Sequence, residues 1–218
     1  MKIAIVSVSK RSSGSLGGVP KYNWYLQRAI GGDILLPEEF MQRKNQYDIL
    51  IADGHFAGMG LPKQKKTSIV HGILNEFLIR NKGNIHDSWN RLQLETWKDS
   101  SVITVAVSPS VDKYLYKYTN KHAHTIILTG IDVNEFCPSE LSRSTEQLVV
   151  HAANDYNKSS FNKLDQILEL NKKLNTFKFT YLNATAGQES LKFSQGRYFL
   201  QPSNYEGNSY ALLEAMSC

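Results

Sequence analysis

The chain contains 218 residues, of which 41% are hydrophobic and 21% are charged, with a net charge of +5. These fractions are typical of globular proteins and exclude collagen, coiled-coil and largely disordered chains. Its two cysteines, Cys137 and Cys218, are too few for a disulfide scaffold or a cysteine zinc site. No apolar run approaches the roughly 20 residues that span a bilayer, so we predict a cytoplasmic protein.

The first part of the chain alternates predicted strands with predicted helices. Residues 2–9 are almost continuously apolar and β-branched, as in a strand buried on both faces of a parallel sheet. A glycine-containing loop follows, and apolar residues then repeat at helical spacing behind Pro20. Further strands are predicted at residues 33–36, 47–52, 67–71, 102–107 and 124–128, and helices at residues 87–99 and after Ser108. The apolar positions of helix 87–99 are Trp89, Leu92, Leu94 and Trp97.

The alternation restarts after a break at residues 129–139 and a polar stretch that ends at Thr145. Strands are predicted at residues 148–153, 177–182 and 197–200, and helices at residues 161–174 and 209–216. Such alternation is typical of α/β domains with a parallel sheet and right-handed crossovers. We therefore predict two Rossmann-like domains, residues 1–140 and 141–218, the second shortened or incomplete. The inward residues predicted for the last helix are Ala211, Leu212, Ala215 and Met216.

Several motifs of phosphate and metal chemistry are absent. The segment from Gly14 to Lys21 has neither the spacing nor the Lys-Ser/Thr ending of a P-loop, and it lacks the G-x-G-x-x-G dinucleotide fingerprint. The sequence also contains no Asp-x-Asp pair and no His-Glu-x-x-His segment. We therefore expect no cofactor and no metal.

Two junctions between a loop and a helix have the character of anion sites. At Gly17 and Gly18 a ligand can approach the backbone, and the helix that follows presents unpaired N–H groups and the positive end of its dipole. The alternative is a plain turn. The second junction is residues 202–218, where Glu206 precedes the helix and Glu214 lies four residues after Tyr210, about 6 Å along the axis. Taken alone, Glu214 fits a solvated helix position better than a binding site.

A basic and aromatic segment follows Pro109. Lys113, Lys117 and Lys121 recur at helical spacing among three tyrosines. One interpretation is an ordinary solvated helix face. The other is attraction to an anion, either a phosphate-bearing ligand or the headgroups of a membrane. The charge excess is modest and no nucleic-acid-binding module accompanies it, so no nucleic-acid partner is expected.

The segment Pro-Ser-x-x-Glu-Gly-x-Ser-x-x-Leu-Leu-Glu-Ala-Met-Ser-Cys, residues 202–218, resembles the signature of family 4 (group 1) glycosyltransferases of the GT-B fold. Weaker matches precede it in the order expected for that family: Gly17-Gly18-Val19 with Tyr22, Val70-His71-Gly72, residues 107–110, and residues 130–138. Together these matches cover nearly the whole chain.

The resemblance implies a retaining, metal-independent transferase that binds a nucleotide sugar between an acceptor-side N-terminal domain and a donor-side C-terminal domain. Glu206 and His71 would face the sugar, and Glu214 the ribose. The acceptor would be a glycan, a lipid-linked molecule or a protein. Peripheral contact of the basic and aromatic segment with an anionic membrane is a separate hypothesis that is compatible with this function, since many members of the family glycosylate lipid-linked acceptors. The assigned catalytic residues are Glu206, His71 and Lys158, and the donor-binding residues are Gly17, Gly18, Asn154, Gly207, Asn208, Ser209, Tyr210 and Glu214.

The chain departs from the family pattern in three places. Members usually carry Gly-Arg after the first strand of the second domain, and both this Arg and a later Lys neutralise the diphosphate; here Asn154 replaces the Arg and Lys158 matches the Lys. The segment between Lys158 and Pro202 is shorter than usual, and no further strand follows Cys218. These departures favour an alternative function, a weak or inactive remnant that binds nucleotide sugar or glycan, or a partner subunit.

Overall fold

The computed structural model describes residues 1–9, 18–73, 87–138, 148–151, 161–181, 189–201 and 209–218. These residues form two compact units, of which the first ends at Thr129 and the second begins at Gly130. The limits 1–140 and 141–218 stay predictions, since residues 139–147 lie outside the described residues. None of the helices in the described ranges combines the length and the apolar character needed to cross a membrane.

The first unit is built on a parallel sheet of six strands in the order β2-β1-β3-β4-β5-β6. β1 lies between two neighbours, with Ile5 opposite Ile34 of β2 and opposite Ile51 of β3. Each strand occurs where an apolar or β-branched run predicted one. The strands are β1 Ile3–Val6, β2 Asp33–Leu35, β3 Ile49–Asp53, β4 Lys65–Val70, β5 Val102–Ala106 and β6 Thr125–Ile126.

The helices of the first unit include those predicted and a short one that was missed. Ser108 caps α4, its Oγ accepting a hydrogen bond from the Val111 N–H at 3.2 Å, and the helix ends at Asn120 in the left-handed conformation with φ 56°. The missed helix is α2, which buries Phe40 against the sheet core. The helices are α1 Gly18–Ile30, α2 Pro37–Arg43, α3 Asp87–Lys98 and α4 Pro109–Thr119, with 3-10 turns at Lys44–Gln46 and Gly54–Met59.

The apolar positions of α3 are only partly buried. Trp97 is buried, but Trp89 and Leu92 are 47% and 45% exposed. The buried positions around Trp97 are polar, because their side chains bond to carbonyl groups of the strand ends. Gln93 Nε2 donates to Gly72 O at 3.4 Å, and Thr96 Oγ1 donates to His55 O at 3.3 Å.

The second unit contains a parallel sheet of three described strands in the order β8-β7-β9. Its buried core consists of Phe136, Val150 and Phe193. The strands coincide with predicted ones, whereas α6 was not predicted. The elements are β7 Leu148–His151, α5 Phe161–Leu174, β8 Lys178–Tyr181, α6 Glu189–Gln195, β9 Tyr198–Leu200 and α7 Tyr210–Ser217.

The buried face of α7 also differs from the prediction. Ala211 and Ala215 pack against the core, as expected. Leu212 and Met216 are exposed, and the buried column beside the two alanines is Tyr210 and Glu214. Residues four apart in sequence line up along one side of a helix, so Ala211 and Ala215 form one column and Tyr210 and Glu214 form the next. Because alanine is small, packing through the alanine column also buries the neighbouring column of Tyr210 and Glu214.

Candidate functional site

Polar side chains gather where β1, β3 and β4 end. Ser7 follows β1, Asp53 is the last residue of β3, and His71 follows β4. These strands are parallel neighbours, so their carboxyl ends meet at one edge of the sheet. Ligands of open α/β sheets bind at that edge. We call the group formed by Ser7, Tyr22, Asn23, Asp53 and His71 the Asp53 cluster.

The Asp53 carboxylate is the centre of the cluster. Asn23 Nδ2 donates to both of its oxygens, at 2.9 Å to Oδ1 and 3.0 Å to Oδ2. The Val8 N–H donates to Oδ2 at 3.3 Å, and His71 Nε2 lies 3.1 Å from Oδ1. Hydrogen bonds to an ionised acceptor are among the strongest in proteins, and this arrangement gives each carboxylate oxygen at least two partners.

Helix α1 supplies the other side of the cluster. Asn23 Nδ2 also donates to Ser7 Oγ at 2.9 Å, so its two hydrogens serve the carboxylate and the hydroxyl. The Tyr22 ring stands nearly perpendicular to the His71 ring, at 85° with centroids 5.0 Å apart. Burial, and next the negative charge of Asp53, raise the pKa of Tyr22 above its ordinary value of 10.0. Tyr22 is therefore a neutral phenol at physiological pH.

Burial shows that the cluster belongs to the interior except at His71. Ser7, Asn23 and Asp53 are 0%, 1% and 6% exposed, whereas the His71 side chain keeps 17% of its surface. A buried carboxylate is costly unless it is hydrogen-bonded, and here the bonds are supplied by fixed elements. The histidine is the part of the cluster that a ligand at the sheet edge can touch.

The second group of candidate residues lies at the start of α7, after β9. Ser209 caps this helix, its Oγ accepting from the Leu212 N–H at 3.4 Å and donating to Gln201 Oε1 at 3.2 Å. The bond to Gln201 therefore places the amino end of α7 beside the residue that follows the carboxyl end of β9. Glu214, one turn further, is 2% exposed, which contradicts the solvated position considered from the sequence.

The predicted site residues divide between the units and the undescribed segments. His71 and Gly18 lie in the first unit, where Gly18 begins α1, and Ser209, Tyr210 and Glu214 lie together on α7 of the second unit. The remaining six fall outside the described residues: Gly17, Asn154, Lys158, Glu206, Gly207 and Asn208.

Sequence reasoning missed Asp53 and Asn23. The available signal for Asp53 was its place at the end of an apolar strand and before a glycine, a place that His71 shares, although His71 was assigned through the family resemblance. Asn23 carries no local signal, because its burial depends on α1 packing over the ends of β1 and β3. In the part of the chain that the structure describes, no three His, Cys, Asp or Glu side chains converge as metal ligands.

Neither a protein-family model nor a curated protein matches this chain. Among solved structures the fold is similar to that of a sucrose-phosphate synthase from Thermosynechococcus elongatus, with a TM-score of 0.65 and 12% identity. The likeness covers 100% of this chain and 79% of that chain. At this level of identity the likeness concerns the fold alone, and with the sheet topology it confirms the predicted α/β, GT-B-like fold.

Proposed function

We propose that the protein is a glycosyltransferase that transfers a sugar from a nucleotide-sugar donor to an acceptor, with retention of configuration and without a metal. The observation that carries the proposal is α7, which follows β9, is capped by Ser209 and carries the buried Glu214 within the signature-like segment. Unpaired N–H groups and the helix dipole favour an anion at such an amino end, and a diphosphate is the anion that all nucleotide sugars share.

The proposed roles follow from the charges that develop in transfer. The sugar becomes more positive and the diphosphate more negative as the bond between them breaks. Glu206 faces the sugar, while Lys158 and the amino end of α7 stabilise the leaving diphosphate. Glu214 binds the ribose, and His71 contacts the sugar. Gly17, Gly18, Gly207 and Asn208 leave room for the diphosphate at the backbone.

The test is nucleotide release and product formation with UDP- and GDP-linked hexoses. Loss of one preorganised charge partner costs about 3 kcal/mol, roughly a hundredfold in rate. Glu206→Ala and Lys158→Ala should each show this loss, and Glu169→Ala, which removes an exposed carboxylate of the same unit, should not. Unchanged rates in both site variants would contradict the assigned roles.

Two further measurements test the finer parts of the proposal. Retention predicts that the anomeric configuration of the donor sugar persists in the first product observed by NMR. Metal independence predicts that EDTA leaves the rate unchanged. An inverted product or a rate restored by Mg²⁺ after EDTA treatment would contradict the corresponding part.

The second candidate function is binding of a nucleotide sugar or glycan with little or no turnover, alone or as a partner subunit. It is favoured by the uncharged Asn154 at the position where the resembling family carries Arg. Calorimetry should then show donor binding without hydrolysis or transfer over long incubation. If the protein is a transferase, Asn154→Arg should raise its turnover. If it is a binding protein, the variant should remain inactive.

Peripheral contact with an anionic membrane is a further part of the proposal, carried by α4. Val111, Leu115 and Thr119 form its buried face, which leaves Lys113 and Tyr116 exposed. Flotation with phosphatidylserine vesicles should recover the protein at low salt, less at high salt, and less for Lys113→Glu. Absence of binding at low salt would contradict it.

A further inference from the structure

We propose that Asp53 is a positioning residue that fixes His71 as the Nε2–H tautomer, so that Nδ1 accepts a hydrogen bond from a hydroxyl of the sugar substrate. The role in substrate binding rests on the proposed function. The tautomer does not, because it follows from the contacts of the Asp53 cluster itself.

The Asp53 carboxylate fixes the orientation of the Asn23 amide. An ionised carboxylate can only accept hydrogen bonds, so the group that bridges Oδ1 and Oδ2 of Asp53 must be the amide nitrogen of Asn23. The same nitrogen bonds to Ser7 Oγ at 2.9 Å. The amide is thereby held between a strand end and a carboxylate, and it locks the plane of the Asp53 carboxyl group.

The same carboxylate determines which ring nitrogen of His71 is the donor. Its Nε2 lies 3.1 Å from Oδ1 of this locked carboxylate, which leaves Nε2 the role of donor. A neutral imidazole has one N–H, so Nδ1 then carries a lone pair. Among the described residues Nδ1 makes no hydrogen bond, and the perpendicular contact with Tyr22 restricts rotation of the ring.

The position of His71 determines which group of a ligand it can bind. His71 is the partly exposed member of a buried cluster, at the edge of a parallel sheet where ligands bind. A lone pair fixed there selects a hydrogen-bond donor, and hydroxyl groups are the donors that a sugar supplies in every orientation. An ionised phosphate oxygen has no hydrogen to donate to that lone pair, so the group held by His71 is expected to be a hydroxyl rather than a phosphate.

The tautomer is tested directly by NMR of protein labelled with ¹⁵N in its histidine rings, assigned with His71→Gln. The wild type should show a protonated Nε2 and an unprotonated Nδ1 for His71, and Asp53→Asn should lose this preference. Asp112→Asn is the matched control, because Asp112 Oδ2 lies 2.8 Å from Nδ1 of the exposed His122 and has no contact with the cluster. A protonated Nδ1 in the wild type overturns the proposal without any variant.

The kinetic arm uses the nucleotide-sugar assay of the proposed function. Asp53→Asn should lower kcat/KM by about 10- to 100-fold, the effect of one hydrogen bond to a charged group, and Asp112→Asn should leave it unchanged. If Asp53 acts through His71, then His71→Ala and the double variant His71→Ala/Asp53→Asn agree within about twofold. A double variant far less active than His71→Ala overturns the positioning role.

The two arms separate the two hypotheses. If the wild type has no activity on any donor while His71 shows the Nε2–H tautomer, the transferase function fails and the positioning by Asp53 stands. If activity is present and His71 shows the other tautomer, the positioning fails and the transferase function stands. Circular dichroism of each variant shows whether the fold is kept.

Discussion

A buried chain of hydrogen bonds joins α3 to the sheet next to the Asp53 cluster. Trp97 is 2% exposed, and its Nε1–H donates to Ser68 Oγ at 2.9 Å. Ser68 Oγ donates in turn to Gly54 O at 2.7 Å. We predict that Trp97→Phe lowers the free energy of unfolding of the first unit by about 2 to 3 kcal/mol, of which about 1 is the lost hydrogen bond and the rest the cavity left by the smaller ring.

Ser68→Ala should cost about 2 kcal/mol or more, because it leaves the Trp97 N–H and the Gly54 carbonyl without their buried partner. The loss of stability in the double variant should be about 1 kcal/mol smaller than the sum of the losses in the two single variants. Urea unfolding followed by circular dichroism measures all three, and Trp89→Phe, at a side chain 47% exposed, should change stability by less than about 0.5 kcal/mol. Additive single effects would refute the coupling, and a Trp97→Phe variant as stable as the wild type would refute the reasoning altogether.

Three further predictions concern backbone geometry and pH. Gly196→Ala places a Cβ 2.5 Å from Val150 Cγ2 and should cost about 1 to 3 kcal/mol in thermal unfolding, whereas Gly130→Ala meets nothing within 4 Å and should be neutral or slightly stabilising. Asn120→Ala should cost about 1 kcal/mol at its φ of 56°, and Asn120→Gly should cost nothing; equal losses would contradict the role of the left-handed backbone. Burial lowers the pKa of His55 in the folded protein below its ordinary 6.5. As the pH falls through 6.5, the unfolded chain therefore binds a proton at His55 before the folded protein does, and the free energy of unfolding decreases. His55→Gln should show a weaker decline between pH 7 and pH 5 in urea unfolding, and an equal decline would refute the assignment.

The strands were predictable because each is a short apolar or β-branched run that needs no distant information. Helix faces were less so, as α3 shows. The apolar Trp89 is exposed, whereas Gln93 and Thr96 are buried because carbonyl groups near the strand ends accept their hydrogen bonds. Helix α2 was missed because seven residues with one buried side chain, Phe40, are too few to show a period.

The candidate site was predictable only where a local pattern carried it. The signature-like segment identified Glu214 and Ser209, and the structure adds that Glu214 is buried and that Ser209 caps α7. Asp53 and Asn23 come from segments thirty positions apart. Their contact depends on which strands become neighbours, and neither residue carries that information in its own surroundings.

The position of β1 has a consequence for the order in which the protein is made. β1 is synthesised before β2 and β3, so Ile5 gains its second neighbour, Ile51, only after β3 has been synthesised. Until then the nascent chain exposes an apolar strand with an unpaired side. In the finished protein the amide protons of β1 exchange with solvent only when the sheet opens, and opening that includes Ser7 and Val8, which follow β1, breaks their hydrogen bonds to Asn23 and Asp53. The rate of hydrogen exchange in β1 therefore also measures how often the Asp53 cluster opens.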